Sequence, residues 1–217
     1  MHARAIEEHK RKLKLSREQR EVLVGILLGD ACLETQNQGR TYRLKIEQSE
    51  RHRAYVNHLY HLLEEWVPTP PRRRRVVSRG HESWNWVFQT VSHGAFRFYA
   101  HQFYEDQRKR VPKLIHRWLT PRALAYWFMD DGSIKSRESK GVILNTQAFY
   151  RSEGERLIQV LQALFDLQAC LRTQKEGYQI TISGTFYERF LELVAPYVIE
   201  EMRYKLPPVR RTSLPKR

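Results

Sequence analysis

The sequence predicts an α+β fold: two αββαββα repeats related by a pseudo-twofold axis, with paired strands around a central pair of packed helices. Three observations carry this expectation. Two very apolar helical segments recur half a chain apart, and each ends in an acid, Asp30 and Asp131, 101 residues apart in a chain of 217. Each segment is followed by a strand with period-two alternation and then by an amphipathic helix. Finally, one half alone is too small to cover both a sheet face and a wholly apolar helix, so the two helices most simply bury each other.

In chain order, Ser16 with Gln19 forms a capping box that opens a helix over residues 16–31. Residues 41–48 alternate, with Tyr42, Leu44 and Ile46 on one face and Arg43, Lys45 and Glu47 on the other, as in a half-buried strand. Residues 53–66 place Tyr55, Leu59, Leu62 and Leu63 at helical spacing. The proline-rich residues 68–71 read as a turn. Trp84, Trp86 and Phe88 then share one face of a strand, with Ser83, Asn85 and Gln89 among the outward residues, and residues 95–103 close the half as a helix. The second half repeats the order. Thr120 caps, Pro121 suits the first helical position, and an apolar run leads to Asp130, Asp131 and Gly132. Residues 141–149 are the candidate strand, and Ser152 with Glu155 the next capping box. Arg172 and Gln174 lead into a turn at Glu176-Gly177 and a strand of Tyr178, Ile180 and Ile182; residues 186–197 form the last helix. The organisation expected is a basic N-terminal extension (1–14), a first half (15–115), a second half (116–207) and a basic tail (208–217).

Composition narrows the function. Lys and Arg number 38 against 24 Asp and Glu, a net charge of +14. The charge is spread in clusters: residues 4–20, the run Arg72, Arg73, Arg74 and Arg75, residues 108–113, and the tail. Such spacing suits a long polyanion, nucleic acid first, because affinity accumulates phosphate by phosphate. With 41% hydrophobic and 12% aromatic residues the chain is not a disordered basic tail. The longest clean apolar run, residues 22–28, is far short of a membrane span, and the charged N-terminus does not read as a secretory leader. An intracellular protein without a membrane partner is therefore expected. Two cysteines, Cys32 and Cys170, cannot build a Cys-rich zinc site and read as small core residues. His52, His58 and His61 lack a carboxylate or thiol at ligating spacing and read as surface or phosphate-contacting residues. There is no glycine-rich phosphate loop, and the termini do not carry the residues of a splicing intein.

Helix C-termini carry partial negative charge and disfavour carboxylates. Two acids at the same place in two repeats therefore point to a cation. Mg²⁺ takes one or two carboxylates, with water and substrate phosphate completing its octahedron. Two packed helices would bring both acids together, and a basic protein with paired metal-binding carboxylates suggests phosphodiester cleavage on two strands.

The segments Leu23-Val24-Gly25-Ile26-Leu27-Leu28-Gly29-Asp30-Ala31 and Leu124-Ala125-Tyr126-Trp127-Phe128-Met129-Asp130-Asp131-Gly132 resemble the paired motifs of the LAGLIDADG homing endonucleases. The likeness is to the two-motif monomeric type, and within it to the omega-intron subgroup, which shares the bulky Tyr126 and Trp127. It extends from about Leu15 to Pro207, and Gly29 and Ala31 reverse the usual small-residue order. The resemblance implies antiparallel, saddle-shaped sheets, that Asp30 and Asp131 hold Mg²⁺ (with Mn²⁺ as a substitute) and that Asp130 aligns one place before the catalytic acid. It implies a basic residue near each site, matched by Lys109 and Lys205, with Arg108 and Arg110 leaving the first open by one position. Gln48 and Gln147 match a polar residue beside the metal.

Sheets with alternating polar faces can lie in the major groove of duplex DNA. The outward candidates are Arg40, Arg43, Lys45, Arg72 to Arg75, Asn85 and Gln89, then Lys135, Arg137, Lys140, Arg172, Gln174, Gln179 and Thr181. Unequal halves imply a long asymmetric target. The family implies a monomer that cuts both strands to leave short 3′ overhangs, in a bacterial cytoplasm or organelle matrix. Its members also include maturases that partner intron RNA and proteins that bind DNA without cutting.

Overall fold

The computed structural model describes residues 3–206 apart from Arg79 and Arg137. The expected basic tail, 208–217, lies outside the described residues. Helix α1 (Ala3–Lys12) precedes the first half, which comprises α2 (Arg17–Leu28), β1 (Cys32–Glu34), β2 (Arg43–Ser49), α3 (Arg53–Leu62), β3 (Arg72–Ser78), β4 (His81–Gln89) and α4 (Arg97–Phe103). A small hairpin of β5 (Tyr104–Glu105) and β6 (Arg108–Lys109) follows. The second half comprises α5 (Pro121–Asp131), β7 (Gly132–Ile134), β8 (Val142–Asn145), α6 (Arg151–Phe165), β9 (Ala169–Gln174), β10 (Gly177–Ile182) and α7 (Tyr187–Val194). Each half is αββαββα. The sheets have matching antiparallel orders, β1-β2-β4-β3 and β7-β8-β10-β9, which is the pseudo-twofold repeat.

The two apolar helices pack on each other along the axis. Helix α2 buries Val22 through Leu28, and α5 buries Ala123 through Met129. A Cβ added to Gly25 would sit 2.4 Å from the Ala123 carbonyl oxygen and 2.8 Å from the Tyr126 Cβ, so the seam closes only because Gly25 has no side chain. Around it, α3 covers β2 and β4, α6 covers β9 and β10, and α7 packs on α5. One contiguous apolar core runs through both halves, from Leu13 to Met202.

The caps explain where the central helices begin. Ser16 Oγ accepts from the Gln19 N–H while Gln19 Oε1 accepts from the Ser16 N–H, closing the box. Thr120 Oγ1 accepts from the Ala123 N–H ahead of Pro121. The box expected at Ser152 and Glu155 is displaced. Helix α6 starts at Arg151, and Glu153 accepts from the Tyr150 N–H. Glu153 also accepts from the Val111 N–H and from Arg108, so this buried carboxylate ties the second half to the first. The strand expected over 141–149 ends at Asn145, because Thr146 Oγ1 donates to the Tyr178 carbonyl and the chain turns at Phe149. The segments 53–66, 95–103 and 186–197 each include a short 3₁₀ turn beside a shorter α-helix. The N-terminal segment docks on the first half: the Glu65 carbonyl meets His9 Nε2 at 2.7 Å, His93 Nε2 meets the Lys10 carbonyl, and Leu13 is buried.

Candidate active site between the central helix ends

The paired helices bring their C-terminal ends to one edge, at the floor of a cleft of about 800 Å³. Asp30, Glu47, Gln48, Asp130, Asn145 and Lys205 are among its lining residues. The helix ends differ. Helix α5 continues through Asp131, with the Gly132 N–H capping onto the Phe128 carbonyl. Helix α2 stops at Leu28, so the Asp30 N–H leaves the helical ladder and donates instead to Asp130 Oδ2 at 3.1 Å.

Two lysines sit on these ends. Lys109 Nζ donates to the Gly29 carbonyl, and Lys205 Nζ donates to the Met129 and Asp130 carbonyls at 2.5 and 3.0 Å. Each half thus supplies an acid and an ammonium to its own motif. The neighbours of Lys109 are engaged elsewhere. Arg108 reaches the Ala148 carbonyl, Glu153 and the Tyr150 ring, while Arg110 reaches the His101 and Gln102 carbonyls and Glu105. Burial pulls the Lys109 and Lys205 ammonium groups below the ordinary lysine value, against the attraction of the three aspartates.

The carboxylates are crowded. Burial, then the charges of Asp30 and Asp131, push Asp130 well above the usual carboxylate range. Burial and the Asp30 charge raise Asp131 to about 7, with Lys109 and Lys205 pulling the other way. The fully buried Tyr55 hydroxyl lies beside Asp130 without closing a well-formed hydrogen bond, and its own ionisation is pushed up by burial and that charge.

Gln48 is in this cluster. Its Nε2 donates to Asp130 Oδ1 at 2.9 Å, and its Oε1 meets His52 Nδ1 at 2.9 Å. That orientation makes His52 Nδ1 the donor, so His52 Nε2 accepts from the Tyr204 hydroxyl at 3.1 Å. Burial, then Lys205 and Arg51, hold His52 toward its neutral form. Gln147, Asp131 and Lys109 are not among the cleft-lining residues, and it is the strand register that corrects the pairing of Gln147 with Gln48. Leu33 pairs with Leu44 and Ile134 with Val142, so β2 and β8 superpose with Gln48 on Thr146 and Glu47 on Asn145. Glu47 and Asn145 are among the cleft residues that sequence reasoning missed. The signal was their matched place one residue before the inward-facing Gln48 and Thr146.

A family model described as the LAGLIDADG DNA endonuclease family matches residues 20–190. A probable intron-encoded endonuclease of Wickerhamomyces canadensis is 35% identical over 211 residues, covering 94% of this chain and 90% of that one. The chain belongs to the LAGLIDADG DNA endonuclease family. DNA endonuclease I-ChuI of Chlamydomonas applanata is 30% identical over 216 residues, covering 89% of this chain and 96% of that one. Among solved structures, the homing endonuclease I-WcaI bound to its DNA recognition sequence superposes with a TM-score of 0.89 at 33% identity, over 94% of this chain and 92% of that one. A cytochrome b mRNA maturase of Debaryomyces hansenii is more distant, 26% identical over 88% of this chain and 74% of its own length.

In this LAGLIDADG chain the strand register decides which basic residues face away from the helices. On the first sheet Arg43, Lys45, Arg72, Arg74, Asn85 and Gln89 share the outward face with Glu34 and Glu47. Arg74 pairs with Glu47 at 2.6 Å, Arg43 with Glu34 at 2.8 Å, and Asn85 donates to Glu47. Arg73 and Arg75 lie on the opposite face, a correction that follows from the period of two. There Arg73 stacks 4.1 Å over the Trp84 ring and pairs with Glu50, while Arg75 pairs with Glu82. Arg40 sits in the turn between β1 and β2.

On the second sheet Arg172, Gln174 and Gln179 face outward with Asn145, which accepts from Gln179 at 2.7 Å. Thr181 is on that face but only 6% exposed, and its hydroxyl has no partner. Lys135 is exposed in the loop before β8. Lys140, also in that loop, lies 5.7 Å from the ring centre of the core residue Tyr187, off the expected outward face. Arg137 lies outside the described residues. Cys32 and Cys170 are on the outward faces, half-buried and exposed, and are not core residues. Among the described residues no helix is long and apolar enough to cross a membrane.

The helix-end edge fits a divalent cation of modest protein coordination. Among the described residues, no three carboxylate, thiol or imidazole groups gather closely enough to cage an ion. Crowded acids, backbone carbonyls at two helix C-termini and ammonium groups already resting on those carbonyls show that the edge attracts positive charge.

Proposed function

We propose that this protein is a site-specific double-strand DNA endonuclease that uses Asp30 and Asp131, one per strand, with Mg²⁺ and with Mn²⁺ as a substitute. The observation that supports it best is the pairing of two acids at adjacent helix ends, with a lysine resting on the backbone carbonyls of each end, in a fold whose two sheets present basic and amide side chains. A divalent ion bound there would polarise the phosphate and activate water. This chain's own residues do the rest. Asp30 and Asp131 would hold the cation, and Lys109 and Lys205 would balance the charge that develops on the phosphate. Gln48 is oriented by Asp130 and His52 toward the same cleft. Outward residues such as Arg43, Lys45, Arg74, Arg172 and Gln179 would grip phosphates and read base edges in the major groove. Both motifs lie in one chain, so a monomer suffices. Unequal halves fit a long asymmetric target, with cuts that leave short 3′ overhangs. The working compartment is one that holds duplex DNA, a bacterial cytoplasm or an organelle matrix.

The maturase relative raises a second reading, binding of intron RNA by the same fold without cutting. A plasmid library of random inserts incubated with the protein and Mg²⁺ separates the two. Recovery of linearised plasmids that share one long sequence supports the endonuclease. An intact library, together with tight RNA binding, overturns it.

A further inference from the structure

The two motif ends are unequal in one respect that neither motif reveals alone. The position before Asp131 is Asp130, and the matching position before Asp30 is Gly29. A Cβ at Gly29 would fall 2.4 Å from both the Cβ and Oδ2 of Asp130, so the Asp130 side chain fills the space its counterpart leaves empty. It thereby crosses the pseudo-twofold axis and accepts two hydrogen bonds from the first half, from the Asp30 N–H at 3.1 Å and from Gln48 Nε2 at 2.9 Å. Gln48 is held on its other side by His52, and His52 by Tyr204. In the second half, the residue at the place of Gln48 is Thr146, whose hydroxyl donates to the Tyr178 carbonyl in the sheet. Asp131 remains part of its helix, whereas the Asp30 backbone has left the helix and is held by Asp130.

We infer that Asp130 is a positioning residue that makes the two cutting centres inequivalent. It orders Asp30 and Gln48 of the first half, and nothing from Gly29 does the same for the second. The inference rests on the endonuclease reading and adds a cause of strand preference to it. Small displacements of a reacting group are costly in rate, so loosening Asp30 falls first on the strand that Asp30 serves.

The test is strand-resolved cleavage of a supercoiled plasmid carrying the selected target, each strand labelled separately. In Asp130→Ala the ratio of the two strand-cutting rates is expected to change by about tenfold or more, with nicked circles accumulating. Asp130→Asn keeps one acceptor oxygen and is expected to fall between the two. The reciprocal exchange Gly29→Asp with Asp130→Gly moves the carboxylate to the other side of the axis and is expected to shift the ratio further in the same direction as Asp130→Ala, because Asp30 loses its partner while Asp131 gains one. Metal-free DNA binding and melting temperature, measured alongside, register a merely structural role. If Asp130→Ala does not fold, Asp130→Asn decides alone. A wild type that cuts both strands, with a ratio unchanged in the variants, overturns this inference and leaves the endonuclease reading intact. A wild type that cuts no DNA removes both.

Discussion

The close approach of the central helices makes Gly25→Ala the sharpest packing test. The new methyl group would lie 2.4 Å from the Ala123 carbonyl oxygen and 2.8 Å from the Tyr126 Cβ. Ordinary contact begins near 3.4 Å, so the helices must part by about 1 Å. A gap of that size forfeits about a quarter to a half of each dispersion well across the seam. Overpacking of this kind costs about 1–3 kcal/mol. For a chain of this length, about 2–4 °C per kcal/mol converts that to a melting-temperature drop of roughly 2–12 °C. The matched control is Gly94→Ala, where an added Cβ meets nothing within 4 Å and stability should stay within about 0.5 kcal/mol. Thermal unfolding followed by circular dichroism reads both. Cleavage by Gly25→Ala should fall further than stability alone requires, because Asp30 and Asp131 ride on the parted helices. A Gly25→Ala protein that melts with the control and cuts at the wild-type rate would refute the packing of α2 on α5.

Two further predictions concern the charged groups at the helix ends. Lys109→Ala and Lys205→Ala should each slow cleavage by about 10²-fold while changing metal-free DNA affinity little, since they act on developing charge; a defect confined to affinity would make them phosphate anchors. The Asp131 carboxyl, raised from 3.8 to about 7, binds its proton more tightly in the folded state. Its contribution to stability is therefore present at low pH and lost as pH rises through 7, with a ceiling of about 4 kcal/mol above that. Asp131→Asn should accordingly melt higher than wild type in chelator at pH 8. The advantage should shrink toward pH 5, and millimolar Mg²⁺ should stabilise the wild type more than the variant. Equal melting curves at both pH values would contradict the crowding of charge at this edge.

Much of the frame was legible because it depends on local rules. Ser16 with Gln19 and Thr120 with Pro121 fixed two helix starts, and the apolar runs behind them could only be buried against each other. The acids followed as the ends of those runs. Contacts between halves were not legible. Glu153 caps Tyr150 while also holding Val111 and Arg108, and those distant partners move the start of α6. The hairpin after Asp131 is three residues shorter than the one after Asp30, which shifts the register and puts Asn145, not Gln147, in the cleft. The arginine run was read as one cluster, although a strand must send Arg73 and Arg75 to the face opposite Arg72 and Arg74. Asp130 looked like a lesser neighbour of Asp131, since nothing in its own segment announces the space left by Gly29.

The most direct measurement is cleavage by Asp30→Asn and Asp131→Asn on the selected target, with metal-free binding measured beside it. Each variant should lose double-strand cleavage by at least about 10²-fold and keep its DNA affinity within about threefold. Both variants linearising the plasmid at the wild-type rate would show that the paired acids do not carry the reaction.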